Sequence, residues 1–224
     1  MTPRQSFSSH PRIRDAAALG FTSSLGPFAA NGIMPGFHAM AEDFGVSFVA
    51  VQQSLTIYLF TYAFFSLVAG SFSDSYGRRP TFIGGMLLFA AASIGAAFSQ
   101  SLWALYGWRL LQGIGAAVGQ VVTQAIVRDN WSGPEAANVN GMIAFFFAAG
   151  PALAPVVGGQ IVMLFGWHAV FLFLLVYSLS IAAFIYYRIP ETLHATERSP
   201  FNLSAVCGNY AKGLTHGAFM TGVI

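Results

Sequence analysis

The sequence predicts an all-α integral membrane protein with six transmembrane helices, because it combines very low charge with membrane-length apolar stretches. The 224 residues are 55% hydrophobic and only 8% charged, and the mean hydropathy is +0.62. A soluble domain has about 25% charged residues, so this chain cannot cover a water-exposed surface. Lipid leaves the backbone no hydrogen-bond partner outside the helix, so every span must be helical. Stretches near the ~20 residues needed to cross a bilayer cover residues 16–40, 48–71, 81–99, 102–127, 138–164 and 167–187.

The N-terminal region resembles a signal peptide only superficially. Three arginines in residues 1–14 precede an apolar stretch, and residues 39–41 read Ala-Met-Ala, as at a cleavage site. The stretch is too long for a signal peptide, and two prolines interrupt it. We therefore expect a retained first helix behind a cytoplasmic N-terminal segment.

The first span has a row of polar residues. Ser24, Asn31 and His38 recur every seven residues and so lie on one helix face. We expect this row to line a cavity, with plain hydrogen bonding between helices as the alternative. His38 is expected at the outer end, where a solvated histidine is the simpler interpretation.

A short charged segment between the second and third spans is the most informative stretch. We expect its first glycine to let two helices approach and its second to permit a turn. The acid can contact a helix N-terminus or an arginine, and the paired arginines are expected to anchor at the lipid headgroups. An ordinary cytoplasmic loop is the alternative. The predicted conformational hinge consists of Gly70, Asp74, Gly77, Arg78 and Arg79.

The fourth span contains an arginine, Arg109, about 10 Å inside its start at 1.5 Å per residue. A buried arginine is costly unless it finds partners or water, so it marks a functional pathway. Small and polar residues share its helix face, as in the lining of a water-filled cavity. An arginine snorkelling to the interface is the alternative. The residues predicted for a cavity or for proton coupling are Arg109, Gln112, Gly113, Gln120 and, from the first span, Asn31.

The fifth span combines a stripe of small residues at every fourth position with two prolines. The stripe permits close contact between helices, and each proline removes one helical hydrogen bond and bends the helix. A generic packing stripe is the alternative for the glycines. The residues predicted to shape an interface are Gly150, Pro151, Ala154, Pro155, Gly158 and Gly159.

The distribution of basic residues sets the expected topology and domain organisation. With a cytoplasmic N-terminus, every loop arginine and lysine is cytoplasmic. We expect a cytoplasmic segment over 1–14, a six-helix bundle over 15–189, a cytoplasmic linker over 190–217 and, over 218–224, the start of a truncated seventh helix. The single cysteine excludes an internal disulfide. We expect no cofactor, no metal and no nucleic-acid partner.

These motifs together resemble the major facilitator superfamily, and within it the bicyclomycin and chloramphenicol resistance branch of drug:proton antiporters. The resemblance rests on the hinge, Arg109 with Gly113, and the glycine-proline motif of the fifth span. Five shorter matches support it: Asp43-Phe-Gly45-Val-Ser47, Gln52-x-Ser54-Leu, Arg128-Asp129, Trp167 with Phe171, and Pro190-Glu191-Thr192-Leu193.

The resemblance implies the N-terminal six-helix half of a transporter in the inner (plasma) membrane. Such a half rocks against a C-terminal six-helix half, missing here, around a midplane site. By the same resemblance the hinge locks the cytoplasmic side, Arg109 takes part in proton coupling, and the fifth-span motif shapes the interface between the halves. A small-molecule substrate, protons and the lipid bilayer are the implied partners.

One departure concerns the first span, where Asn31 stands in place of the aspartate usual in that branch. We expect a secondary active transporter, not an enzyme, that exports drugs or other small molecules by alternating access. None of the six spans contains Asp or Glu, so this half offers no carboxylate within the membrane for proton coupling. A metabolite transporter of the same superfamily and a truncated, non-transporting membrane fragment are the alternatives.

Overall fold

A computed structural model describes residues 13–193 and residue 198, and this part of the chain is helical with no strand. The predicted all-α class is confirmed. The predictions for residues 1–12, for most of the 190–217 linker and for the seventh-helix segment 218–224 lie outside the described residues. The helices are α1 (Ile13–Asn31), α2 (Phe37–Phe44), α3 (Phe48–Tyr76), α4 (Arg78–Ala97), α5 (Leu102–Asn130), α6 (Gly133–Phe165) and α7 (His168–Arg188).

The first predicted span differs from the structure, because it is not one helix. Helix α1 ends at Asn31, a 3-10 turn covers Met34–Gly36, and the short α2 follows. Pro35 lacks a backbone N–H and disfavours the helical conformation of the residue before it, so it favours a break at this point. Helices α3 to α7 are long and apolar enough to cross a membrane.

The charged segment between α3 and α4 is also shorter than predicted. It is not a loop, because α3 continues to Tyr76 and α4 begins at Arg78. Gly77 alone separates the two helices, with φ of 101°. Only glycine adopts this conformation without strain, so the predicted turn at Gly77 is confirmed. Gly70 and Asp74 lie within the last turns of α3.

Helix α5 occupies the centre of the bundle and packs against α3, α4 and α1. In its most apolar stretch 61% of the residues are buried, against 17% in α3 and 22% in α6. Gly113 permits the contact with α3, since a Cβ there would lie 2.7 Å from the carbonyl oxygen of Tyr58. A side chain at Gly113 would therefore push the two helices apart.

The small-residue stripe of α6 packs against α1, which confirms the close helix contact expected of it. Ala154 is fully buried, and a methyl group at Gly158 would overlap the carbonyl of Gly32, the residue that follows α1. A Cβ at Gly150 would meet Pro27 at 3.3 Å. The rest of the motif is less buried: Pro151 is exposed, and Pro155 and Gly159 are half-buried. The stripe thus joins two helices of the described bundle and leaves another face of α6 open.

Candidate functional site

Arg109 is the largest fully buried side chain among the described residues. It lies in the second turn of α5, and its fractional exposure is 0%. A snorkelling arginine would place its guanidinium at the surface, and this one does not. The alternative interpretation of Arg109 is therefore wrong for this structure.

The guanidinium of Arg109 contacts three helices, and every partner is neutral. Nη1 donates to the carbonyl oxygen of Ala29 in α1 at 3.2 Å and to Oε1 of Gln112 at 2.9 Å. The Cζ atom lies 4.3 Å from the ring centroid of Tyr58 in α3, a cation–π distance. No carboxylate of the described residues forms an ion pair with it.

The neighbours of Arg109 are held by further hydrogen bonds. Gln112 donates through Nε2 to the hydroxyl of Ser93 in α4 at 2.8 Å. The Tyr58 hydroxyl donates to the carbonyl oxygen of Gly26 in α1 at 2.9 Å. We call Arg109, Gln112, Ser93 and Tyr58 the Arg109 network; it links α1, α3, α4 and α5. Within it, Nε and Nη2 of Arg109 are buried and have no hydrogen-bond partner among the described residues.

The rest of the predicted polar face of α5 is covered by neighbouring helices. Gly113, Ala116 and Thr123 are buried, and only Gln120 is partly exposed. The Oε1 atom of Gln120 is buried without a partner among the described residues. In this bundle the face is therefore a packing surface around Arg109, not the wall of an open cavity.

The polar row of the first span divides into three different environments. Ser24 is buried, and its hydroxyl lies 2.6 Å from that of Tyr177 in α7. For Ser24 the cavity-lining expectation is wrong, and hydrogen bonding between helices holds. Asn31 is half-buried and donates to the carbonyl oxygen of Pro27 in its own helix at 2.8 Å. His38 is exposed, with its ring 4.7 Å from that of Phe48.

A second buried arginine, Arg78, lies at the end of the bundle where α3 ends and α4 begins. Its side chain is only 9% exposed. It forms an ion pair with Asp74 one helical turn earlier, and its Nε donates to Oδ2 of Asp129 at 3.0 Å. Nη1 also donates to the hydroxyl of Ser73 at 2.6 Å. Of the two contacts expected for Asp74, the arginine contact is the one formed.

Glu191, just after α7, occupies the N-terminus of α4. Its two carboxylate oxygens accept the backbone N–H groups of Arg78 at 2.9 Å and Arg79 at 3.3 Å. A negative charge is stabilised there by the unpaired N–H groups and the dipole of the helix. Thr192 adds a hydrogen bond to Oδ2 of Asp129 at 3.0 Å. We call Asp74, Arg78, Asp129 and Glu191 the Arg78 cluster; it joins α3, α4, α5 and the segment after α7.

The other hinge residues make fewer contacts at this end of the bundle. Arg79 donates to the carbonyl oxygen of Tyr186, and its Cζ lies 4.7 Å from the centroid of that ring. The expected headgroup anchoring is wrong for Arg78, which is buried in ion pairs. The expected close approach at Gly70 is also wrong, because a Cβ there would meet only Val121, at an ordinary 3.7 Å.

Sequence reasoning did not assign four residues of these two sites. Tyr58 and Ser93 lie in apolar helices and belong to none of the motifs described above. Their roles depend on which helices pack together. Asp129 and Glu191 had a usable signal, because both fall in short segments that support the family resemblance. Their acidic side chains at helix ends, on the same side as Arg78 in the predicted topology, could have been paired with it.

Comparison with known proteins decides the family. The sequence pattern of the Major Facilitator Superfamily matches residues 19–220. The chain belongs to this superfamily of membrane transporters. It is 33% identical over 192 residues to the bicyclomycin resistance protein homolog of Haemophilus influenzae, covering 86% of this chain and 48% of the relative. It is 36% identical over 160 residues to the chloramphenicol resistance protein of Pseudomonas aeruginosa, covering 71% and 38%.

A solved structure supports the fold. The crystal structure of the human organic anion transporter MFSD10 (TETRAN) matches with a TM-score of 0.65 at 23% identity, over 85% of this chain and 51% of that one. At this identity the likeness shows the fold alone. The chain thus spans about half the length of the relatives it matches, and its bundle corresponds to one half of a major facilitator fold.

Proposed function

We propose that this chain forms the N-terminal half of a transporter that exports small molecules, including drugs, by alternating access. Its two relatives named above are resistance proteins, which favours export of toxic compounds. Alternating access requires a second six-helix half that rocks against the first. The exposed apolar faces of α3 and α6 favour such a partner, because these two helices are much less buried than α5.

The Arg78 cluster is the single observation that supports this proposal most. It ties three spans and the segment after α7 together at one end of the described bundle. Charge-assisted hydrogen bonds of this kind are strong but can be exchanged, so they suit a lock that opens and closes. In the proposed cycle this lock holds the state that is closed on the Arg78 side.

The proposed location is the inner (plasma) membrane, with the N-terminus and the Arg78 end in the cytoplasm. The distribution of loop arginines favours this orientation. In a variant lacking Cys207, Tyr76→Cys would introduce a thiol at an exposed site on that side. We expect it to resist a membrane-impermeant thiol reagent in intact cells, while Ser47→Cys reacts. The reverse pattern would invert the proposed topology.

The six predicted spans of this half contain no carboxylate that could carry a proton, and the structure places His38 at an exposed site outside α1. Asn31 binds no proton near neutral pH, and an arginine does not release one in that range. The coupling group therefore belongs to the second half, or transport is facilitated diffusion. Either case is compatible with a buried Arg109.

Asp74→Asn tests the proposed lock in the full-length protein. The assay is efflux from cells of three probes of different charge: chloramphenicol, ethidium and fluorescein. We expect the wild type to export at least one, and Asp74→Asn to slow that export several-fold with little change in binding. The matched control is Asp43→Asn at the opposite end, where the side chain accepts one hydrogen bond from Trp167. Loss of binding with normal cycling would refute the lock, and export of no probe would refute the transport proposal.

A further inference from the structure

The guanidinium of Arg109 has an unused edge. Its Nη1 atom is bonded to Ala29 and Gln112, whereas Nε and Nη2 are both buried without a partner among the described residues. In a guanidinium, Nε–H and Nη2–H lie side by side and point the same way. This pair is the fork that binds the two oxygens of a carboxylate in parallel hydrogen bonds. The structure therefore leaves free the edge that best fits a carboxylate.

The charge of Arg109 is also uncompensated. All its contacts are with a carbonyl, an amide oxygen and an aromatic ring, none of which has a net charge. The acids whose side chains the structure describes lie at helix ends, and the two that form ion pairs bind Arg78. A buried cation with two unpaired nitrogens is costly, and an anion would compensate the charge and pair the nitrogens at once.

The position of Arg109 beside an interrupted helix points to the cargo as the source of that anion. Its Nη1 atom contacts Ala29, close to the point where α1 ends at Asn31 and the chain turns before α2. In repeat-built transporters, broken helices of this kind form the substrate site. The one polar side chain at the break, Asn31, is neutral, half-buried and bonded within its own helix. It therefore brings no competing negative charge.

We propose that Arg109 binds a carboxylate group of the transported molecule through its Nε–Nη2 edge. This inference rests on the proposed transport function and narrows its substrate class to organic anions. Arg109 is fully buried in the present arrangement, so the carboxylate reaches it when the helices around the α1 break separate. Arg109 is then a substrate-binding residue, and Gln112 and Tyr58 position its guanidinium.

The test compares two probes that differ only in the charged group, 2-naphthoate and 2-naphthamide. Their affinities are measured by calorimetry on the purified full-length protein. We expect the wild type to bind the carboxylate about tenfold more tightly or better, as for hydrogen bonds to a charged group. Arg109→Gln should remove this difference. Arg109→Lys should retain part of it, because lysine keeps the charge but not the fork.

The matched control is Arg188→Gln, the same change at an exposed arginine at the end of α7, and it should leave the difference unchanged. Equal affinity of the wild type for both probes would overturn the proposal, as would discrimination that persists in Arg109→Gln. A carboxylate supplied by the second half would also give equal affinities. If Arg109→Gln does not fold, the proposal is tested by the affinity difference between the two probes in the wild type and in Arg109→Lys. Export of any of the three efflux probes, together with equal naphthoate and naphthamide affinities, would refute this inference alone.

Discussion

The two buried arginines of this bundle differ in how their charge is balanced. Arg78 lies at one end of the bundle and touches two carboxylates and a hydroxyl. Arg109 lies inside the bundle and touches only neutral groups, with two nitrogens unpaired among the described residues. Both are buried, yet only Arg78 has the partners that make burial of a charge favourable.

This difference indicates two kinds of role. A cation balanced by fixed acids holds helices together, and its loss leaves those acids unpaired. A buried cation without a fixed counter-charge adds little to the stability of the fold. Its presence is better explained by a charged group that it binds during function. We therefore interpret Arg78 as part of a lock and Arg109 as a charge kept free for the transported molecule.

The largest expected effect is on transport by Arg109 variants. Arg109→Ala removes the charge and the unpaired Nε–Nη2 edge, so transport of the preferred substrate should fall at least about tenfold. Arg109→Lys should retain some activity only if two parallel hydrogen bonds are dispensable. Efflux from cells, normalised to the amount of protein in the membrane, gives the measurement. Full activity of the alanine variant would show that the uncompensated charge has no function.

A carboxylate placed in α1 two residues after Ala29, which Arg109 contacts, should have the next largest effect. Asn31→Asp adds an acid to the helix that contacts Arg109 through Ala29. The new acid can exchange a proton and compete with an anionic substrate for the guanidinium. We expect stronger dependence of efflux on an imposed pH gradient than in the wild type. Strong coupling in the unmodified protein that disappears with His38→Gln would instead identify His38 as the titrating group.

The smallest expected effect concerns Glu191 in the Arg78 cluster. Glu191→Gln keeps an oxygen that can accept a backbone N–H of α4 but removes the negative charge. The free energy of unfolding should fall by about 0.3–1 kcal/mol, the usual range for a charge at a helix N-terminus. Glu42→Gln is the control, because Glu42 is exposed in the last turn of α2, away from any helix N-terminus. Equal thermal stability of the two variants would remove Glu191 from the lock.

The sequence predicted those features that depend on one helix alone. The buried position of Arg109 followed from its depth in an apolar stretch, and the contact surface of Gly150, Ala154 and Gly158 followed from their spacing. Contacts between two segments that are distant in the sequence could not be predicted in this way. Glu191 reaches the N-terminus of α4 across more than a hundred residues, and no periodicity encodes that contact. Only the packing of the helices brings Glu191 to the N-terminus of α4.

The break in the first span was predictable in part. Pro35 was visible as a helix breaker, but the hydropathy of residues 16–40 suggested one long span. Hydropathy averages over a window and does not register a missing hydrogen bond. The break in the first span matters for the site, because the end of α1 lies beside the Arg109 network.

The most direct test of the difference between the two arginines is the thermal stability of Arg78→Met and Arg109→Met in the purified full-length protein. Methionine fills a similar volume without charge. Arg78→Met should lower the stability by about 2 kcal/mol, less than for a fully buried ion pair because Asp74 is half-exposed. Arg109→Met should leave the Tm unchanged or raise it, while removing the preference for 2-naphthoate over 2-naphthamide. A large loss of stability in Arg109→Met with Arg78→Met unaffected would contradict the account.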